Sequence, residues 1–113
     1  MITTNVTVGY FFVTAKDPVG PWSDPIWVNI QGIDPSFFFE TDRVYIQYAN
    51  LKAIWQVVMN RQTGALLSEL TIITKGSGGR DVEGPHLYRK GQFYYLLTAE
   101  GGTRKGHIIT IRR

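Results

Sequence analysis

The chain reads as an all-β protein holding about two and a half blades of a β-propeller. Three observations lead there. Almost every ordered-looking segment is short, aromatic and β-branched, and is bounded by Gly, Pro, Asn or Asp. No stretch sustains the apolar period of a helix, so no long helix is expected. A pattern of acidic residue, strand, turn and strand also recurs. It opens at Gly32-Ile33-Asp34-Pro35 and again at Glu83-Gly84-Pro85-His86, with the two carboxylates 49 positions apart. A four-stranded propeller blade takes roughly 40–50 residues.

The elements follow in order. Val8 to Ala15 is aromatic and β-branched and predicts a strand. Asp17-Pro18-Val19-Gly20-Pro21 and Ser23-Asp24-Pro25 are turn chemistry. Ile26-Trp27-Val28 is a short strand. Phe37-Phe38-Phe39 and Val44 to Tyr48 flank a hairpin turn at Glu40-Thr41-Asp42-Arg43. Ile54 to Met59 runs into a turn at Asn60 to Gly64, and Leu70 to Thr74 follows. The last third gives His86-Leu87-Tyr88, a turn at Arg89-Lys90-Gly91, Phe93 to Thr98, a turn at Gly101-Gly102, and His107 to Ile111. Grouped by the repeat, the blade pieces fall near 1–31, 32–77 and 78–113, in a single partial domain.

At 113 residues the chain is one domain or part of one. Its 43% hydrophobic content allows a core. No apolar run reaches the roughly 18 residues that would span a bilayer, and no membrane role is expected. Met1-Ile2-Thr3-Thr4-Asn5 has no basic region leading into an apolar one. That leaves the compartment open and, on this ground alone, points to the cytoplasm. The absence of cysteine excludes disulfides, thiolate nucleophiles and Cys-based zinc sites. The net charge is +3, and Arg104, Lys105, Arg112 and Arg113 crowd the C-terminal end. No basic stripe runs through the rest, so a solvated edge is expected there and no nucleic-acid partner.

A blade buries its faces against its neighbours, and propellers close as rings of about four to eight. Two and a half blades leave an apolar face and strand edges open. Self-association, or flanking blades in a longer polypeptide, is therefore expected.

The chemistry centres on two carboxylates. Asp34 and Glu83 each stand beside a proline at the mouth of an aromatic strand. Two carboxyl groups on facing strands suit acid/base cleavage of a sugar bond. A general acid must hold its proton near neutral pH, which apolar surroundings and a second carboxylate nearby both favour. Tyr88 and Phe93 are the expected apolar floor beneath Glu83. Asp17 and Asp24 lie in hydrophilic connections and keep a turn reading. Trp22, Trp27 and Trp55 are candidate sugar platforms, although aromatics at strand spacing usually pack inside. Gly76-Ser77-Gly78-Gly79-Arg80 lacks the Gly-Lys-Ser/Thr ending and following helix of a phosphate loop. Ser23 and Ser36 have no histidine-acid partnership, so nucleophilic serine chemistry is unsupported.

Four segments carry a resemblance: Gly20-Pro21-Trp22-Ser23-Asp24-Pro25, Gly32-Ile33-Asp34-Pro35-Ser36-Phe37-Phe38, Glu83-Gly84-Pro85-His86-Leu87-Tyr88, and Tyr94 to Thr103. In that order they resemble the family 43 glycoside hydrolases, in the β-xylosidase and α-L-arabinofuranosidase branch. The resemblance implies part of a five-bladed propeller, and an inverting exo-glycosidase acting on xylosides or arabinosides of plant cell-wall polymers. It implies Glu83 as general acid and Asp34 as the residue that orients the acid and tunes its pKa. Nothing in the chain matches the general base, which the resemblance puts on a blade upstream of Met1. Thr103 and His86 become candidate sugar contacts. Some family members hold a cation or water cluster on the propeller axis with a histidine. His107 is thus a candidate metal contact, an axial divalent cation such as calcium its ligand, and no other cofactor is expected. Xylo- or arabino-oligosaccharides are the expected partners. The alternative is a non-catalytic carbohydrate-binding or self-assembling propeller fragment without the base.

Overall fold

A computed structural model describes residues 1–5, 7–78, 80–103 and 106–113, with only the backbone of Asn5. Arg104 and Lys105 of the basic end, and Gly79 of the glycine-rich loop, lie outside the described residues. Ten strands follow one another: β1 (Ile2–Asn5), β2 (Gly9–Phe12), β3 (Ile26–Val28), β4 (Ile33–Glu40), β5 (Arg43–Asn50), β6 (Ala53–Met59), β7 (Thr71–Thr74), β8 (Glu83–Lys90), β9 (Phe93–Glu100) and β10 (Ile108–Arg112). No helix occurs among the described residues. The strands form three antiparallel sheets, ordered β1-β2-β3, β4-β5-β6-β7 and β8-β9-β10. β4 packs against both β1 and β8, so the opening strands of the three sheets lie side by side.

The expected strands are present with altered bounds. β2 is confined to Gly9–Phe12 instead of reaching Ala15, because both its partners, β1 and β3, stop opposite Phe12. β1 was hidden in a Thr-rich start with little apolar alternation. β4 and β8 begin earlier than expected: Asp34-Pro35 and Gly84-Pro85 lie inside the strands, not at their mouths. Each proline sits in a bulge, where a lost ladder hydrogen bond is tolerated.

Strand alternation gives the middle sheet two different faces. One carries Val44, Ile46, Tyr48, Val57 and Met59 against Tyr10, Phe12 and Val28 of the first sheet and Ile30 just beyond it. This interface is apolar, with Tyr10 edge-on to Tyr48 and Phe12 edge-on to Phe37. The other face meets the third sheet through Ala49, Ile54, Val82, Leu96 and Leu87. It also buries Ser36, Gln47, Thr98 and Glu100. At its far end Glu40 accepts hydrogen bonds from Arg89, at 3.0 Å, and from the Tyr94 hydroxyl. That bond to a carboxylate raises the Tyr94 pKa. The opposite face of the third sheet is open: Ile109 is 70% exposed and Ile111 66%.

The second and third sheets repeat at 50 positions, not 49. Ile33 pairs with Ala49 and Ser36 with Gln47, while Glu83 pairs with Ala99 and His86 with Leu97. Both opening strands thus carry one extra residue at the same place. Left-handed φ angles recur in the same register, at Asp34 and Gly84, Thr41 and Gly91, Leu51 and Gly101, Lys52 and Gly102. The two carboxylates are therefore not equivalent. Asp34 stands within its bulge, and Glu83 stands one residue before the corresponding one.

Candidate active site

The two bulges sit at the same end of neighbouring opening strands, and side chains tie them together. Asp34 has φ 53°, in the left-handed region. Aspartate tolerates that conformation better than most residues. Its exposed carboxylate accepts the backbone N–H of Gly84 at Oδ2, 3.1 Å away. Two residues on, the buried Ser36 hydroxyl donates to the carbonyl of Pro85 at 2.6 Å. The first sheet holds the other side: Tyr10, fully buried, donates its hydroxyl to the carbonyl of Ile33 at 3.2 Å. Burial raises the Tyr10 pKa, so the phenol stays a donor. Gly32 precedes this contact at φ 146°, and a Cβ there would run into the Ala49 carbonyl and the Tyr10 hydroxyl.

Glu83 is half-buried and lies on a cleft of about 240 Å³. Gly32, Ile33, Asn50, Leu51 and Lys52 line the cleft with it. Leu51 and Lys52 form the two-residue turn between β5 and β6, with φ 48° and 60°. The expected apolar floor is not there. Tyr88 pairs with Tyr95, and Phe93 pairs with Lys90 at the far end of the β8–β9 hairpin. At about 3.3 Å per residue those rings lie well down the strand from Glu83. Asp34, for its part, is exposed and not set against apolar surface.

Thr103 is exposed in the turn that follows β9. His86 is exposed on the open face of the third sheet, its ring near that of Tyr88 at 6.4 Å. In the 50-residue register it occupies the position of Ser36. His107 places Nδ1 2.7 Å from the Gly102 carbonyl. If Nδ1–H donates there, Nε2 faces outward as an acceptor. Among the described residues no three His, Cys, Asp or Glu side chains converge on one point. Among the described residues His107 offers one nitrogen ligand, where an oxygen-seeking cation such as calcium takes several oxygens. Of the tryptophans, Trp27 is 47% exposed against Phe11 and lines a separate cleft of about 530 Å³. Trp22 is exposed too, and Trp55 donates its indole N–H to the Asn50 carbonyl at 3.0 Å.

Sequence reasoning missed Glu100. It is 2% exposed and accepts the Ser77 amide at 2.8 Å, the Ser77 hydroxyl, the Thr110 hydroxyl at 2.8 Å and the Arg112 guanidinium. Burial alone would raise its pKa. The hydrogen bonds from Ser77, with those of Arg112 and Thr110, outweigh that and lower it to about 2. Glu100 thereby ties down Ser77, just after β7. The alternation Leu96, Thr98, Glu100 on an inward face was its one signal.

The family model described as Glycosyl hydrolases family 43 matches residues 1–113. The chain belongs to that family. A non-reducing end alpha-L-arabinofuranosidase of Bacteroides ovatus is 42% identical over 106 residues, 93% of this chain and 20% of the relative. A beta-xylosidase of Bacillus subtilis is 37% identical across 91% of this chain and 21% of its own length. Among solved structures, a family 43 protein of a Bacteroides ovatus xyloglucan locus superposes with TM-score 0.86 at 41% identity, over 92% of this chain and 21% of that one. A xylan beta-1,4-xylosidase from Bacillus halodurans gives 0.81 at 37% identity, over 90% and 22%. The chain spans about a fifth of the length of these relatives. Its three sheets are part of the five-bladed propeller of family 43.

Proposed function

We propose that this chain supplies the acid side of an inverting family 43 glycosidase acting on xylosides or arabinosides. Glu83 is the general acid and Asp34 its orienting and tuning partner. The observation that supports this most is the bond from the Gly84 amide to Asp34, which links the Asp34 bulge to the one that directly follows Glu83. Glu83 gives its proton to the glycosidic oxygen as the C1–O bond breaks. A water deprotonated by a base on the other side of the ring bonds to C1, and the configuration inverts. The resemblance assigns that base to a blade other than the three formed here. The cleft beside Glu83 would receive the departing sugar.

The test compares the complete enzyme, with its remaining blades, and its Glu83→Gln variant on xylobiose and on an aryl xyloside with a good leaving group. Turnover of xylobiose should fall about 10²–10⁴-fold. The aryl glycoside, which needs little protonation, should lose far less. Equal losses would remove Glu83 from the acid role.

A further inference from the structure

We propose that Ser36 is a positioning residue for the general acid, holding the Glu83 bulge from the neighbouring blade. This rests on Glu83 being the acid. The bulge sets the need. From Glu83 to His86 the strand β8 spends one residue more than β9 opposite, so Gly84 and Pro85 fall out of the regular ladder. Backbone groups released this way need other partners, and a buried one cannot turn to water for them. Both partners come from β4: the Gly84 N–H goes to Asp34 and the Pro85 carbonyl to Ser36. The acid is therefore aimed by the blade before it.

The Ser36 bond is the protected one of the two. Ser36 is 7% exposed, and Pro85 is fully buried. The hydroxyl has one proton. The other acceptor in reach, Gln47 Oε1, is 3.5 Å away, against 2.6 Å for the Pro85 carbonyl. Gln47 turns its amide to Gln56 Oε1 at 2.9 Å. Without the hydroxyl a buried carbonyl would lack a partner two residues from the acid, and the bulge would relax to reach water. Small displacements of this kind act on proton transfer more than on substrate binding.

In the complete enzyme Ser36→Ala is measured beside Glu83→Gln for turnover of xylobiose and the aryl xyloside, and by amide hydrogen exchange. The expected result for Ser36→Ala is a loss of about 10- to 100-fold in kcat on xylobiose with KM little changed. The aryl substrate should lose under about threefold, and exchange at Gly84 and His86 should quicken about tenfold. A merely structural serine would depress both substrates alike, and that outcome, or unchanged exchange, overturns the proposal. If Ser36→Ala does not fold, Ser36→Cys, a weaker donor of similar size, must show the same pattern in reduced degree. If Glu83→Gln itself shows no leaving-group dependence, the acid reading fails. If no protein turns over either substrate, exchange at Gly84 and His86 decides by itself whether Ser36 holds the bulge.

Discussion

Asp34 stands where the next blade has Gly84. Both residues are left-handed, at φ 53° and 56°, in the same bulge, and the carboxylate of the first accepts the amide of the second. A residue with a Cβ in that conformation carries a strain of about 1–2 kcal/mol that glycine avoids. The third sheet uses glycine at this position and the second does not.

Three substitutions separate the backbone from the charge. Asp34→Gly relieves the strain and loses the hydrogen bond, so stability should move by less than about 1 kcal/mol. Asp34→Ala keeps the strain and loses the bond, and should cost about 1–2 kcal/mol. Asp34→Asn keeps an acceptor and tolerates the conformation, with a cost below about 0.5 kcal/mol. All three should lose turnover, by about 10²-fold for Gly and Ala. Urea denaturation and kcat/KM on xylobiose check this. An Asp34→Asn protein with full activity would show that the charge plays no part.

The buried Glu100 carboxylate sets an acid limit on the fold. Its pKa falls from an ordinary 4.5 to about 2 in the folded state. A depressed pKa means the group contributes stability above about 4.5 and loses it as the pH falls towards about 2. The urea midpoint should therefore drop across that window, and Glu100→Gln should flatten the drop. Arg112→Ala, which removes the guanidinium from a buried carboxylate, should cost about 3 kcal/mol at neutral pH. An unchanged acid profile in Glu100→Gln would locate the acid sensitivity elsewhere.

The turn beside the Glu83 cleft is built from residues that suit it poorly. Leu51 and Lys52 both have positive φ, as two-residue hairpins of this twist require, and Leu51 is 84% exposed. Asn-Gly is the favoured pair in such turns. Replacing Leu51-Lys52 with Asn-Gly should raise stability by about 1 kcal/mol, read as a higher urea midpoint. If the turn also meets the departing sugar, KM for xylobiose should rise while the aryl substrate is unaffected.

The strands were legible because their signal is local: Val44, Ile46 and Tyr48 alternate, and Asn60 to Gly64 is turn chemistry whatever surrounds it. The repeat was legible only to within one residue. Aligning Asp34 with Glu83 matched like chemistry, whereas the fold matches the bulges and so pairs Asp34 with Gly84. Ser36 looked inert, since a hydroxyl that donates to a carbonyl 49 residues away leaves no trace in spacing. The aromatic floor under Glu83 failed for a related reason. Tyr88 and Phe93 are near in sequence, but an extended strand carries neighbours apart by several ångströms per residue.

The open face of the third sheet leads to the last prediction. Tyr88, Ile109 and Ile111 stand exposed on it, while the matching face of the middle sheet is covered by Leu87, Leu96 and their neighbours. A sheet face of this kind in water favours contact with another apolar surface. β10 is also an edge strand, with unpaired backbone groups along one side. The 113-residue chain should therefore associate as its concentration rises. Ile109→Lys with Ile111→Lys should return it to a monomer in light scattering without lowering the urea midpoint, because neither side chain packs in the core. A parent chain that stays monomeric at high concentration would show that the exposed isoleucines alone do not drive association.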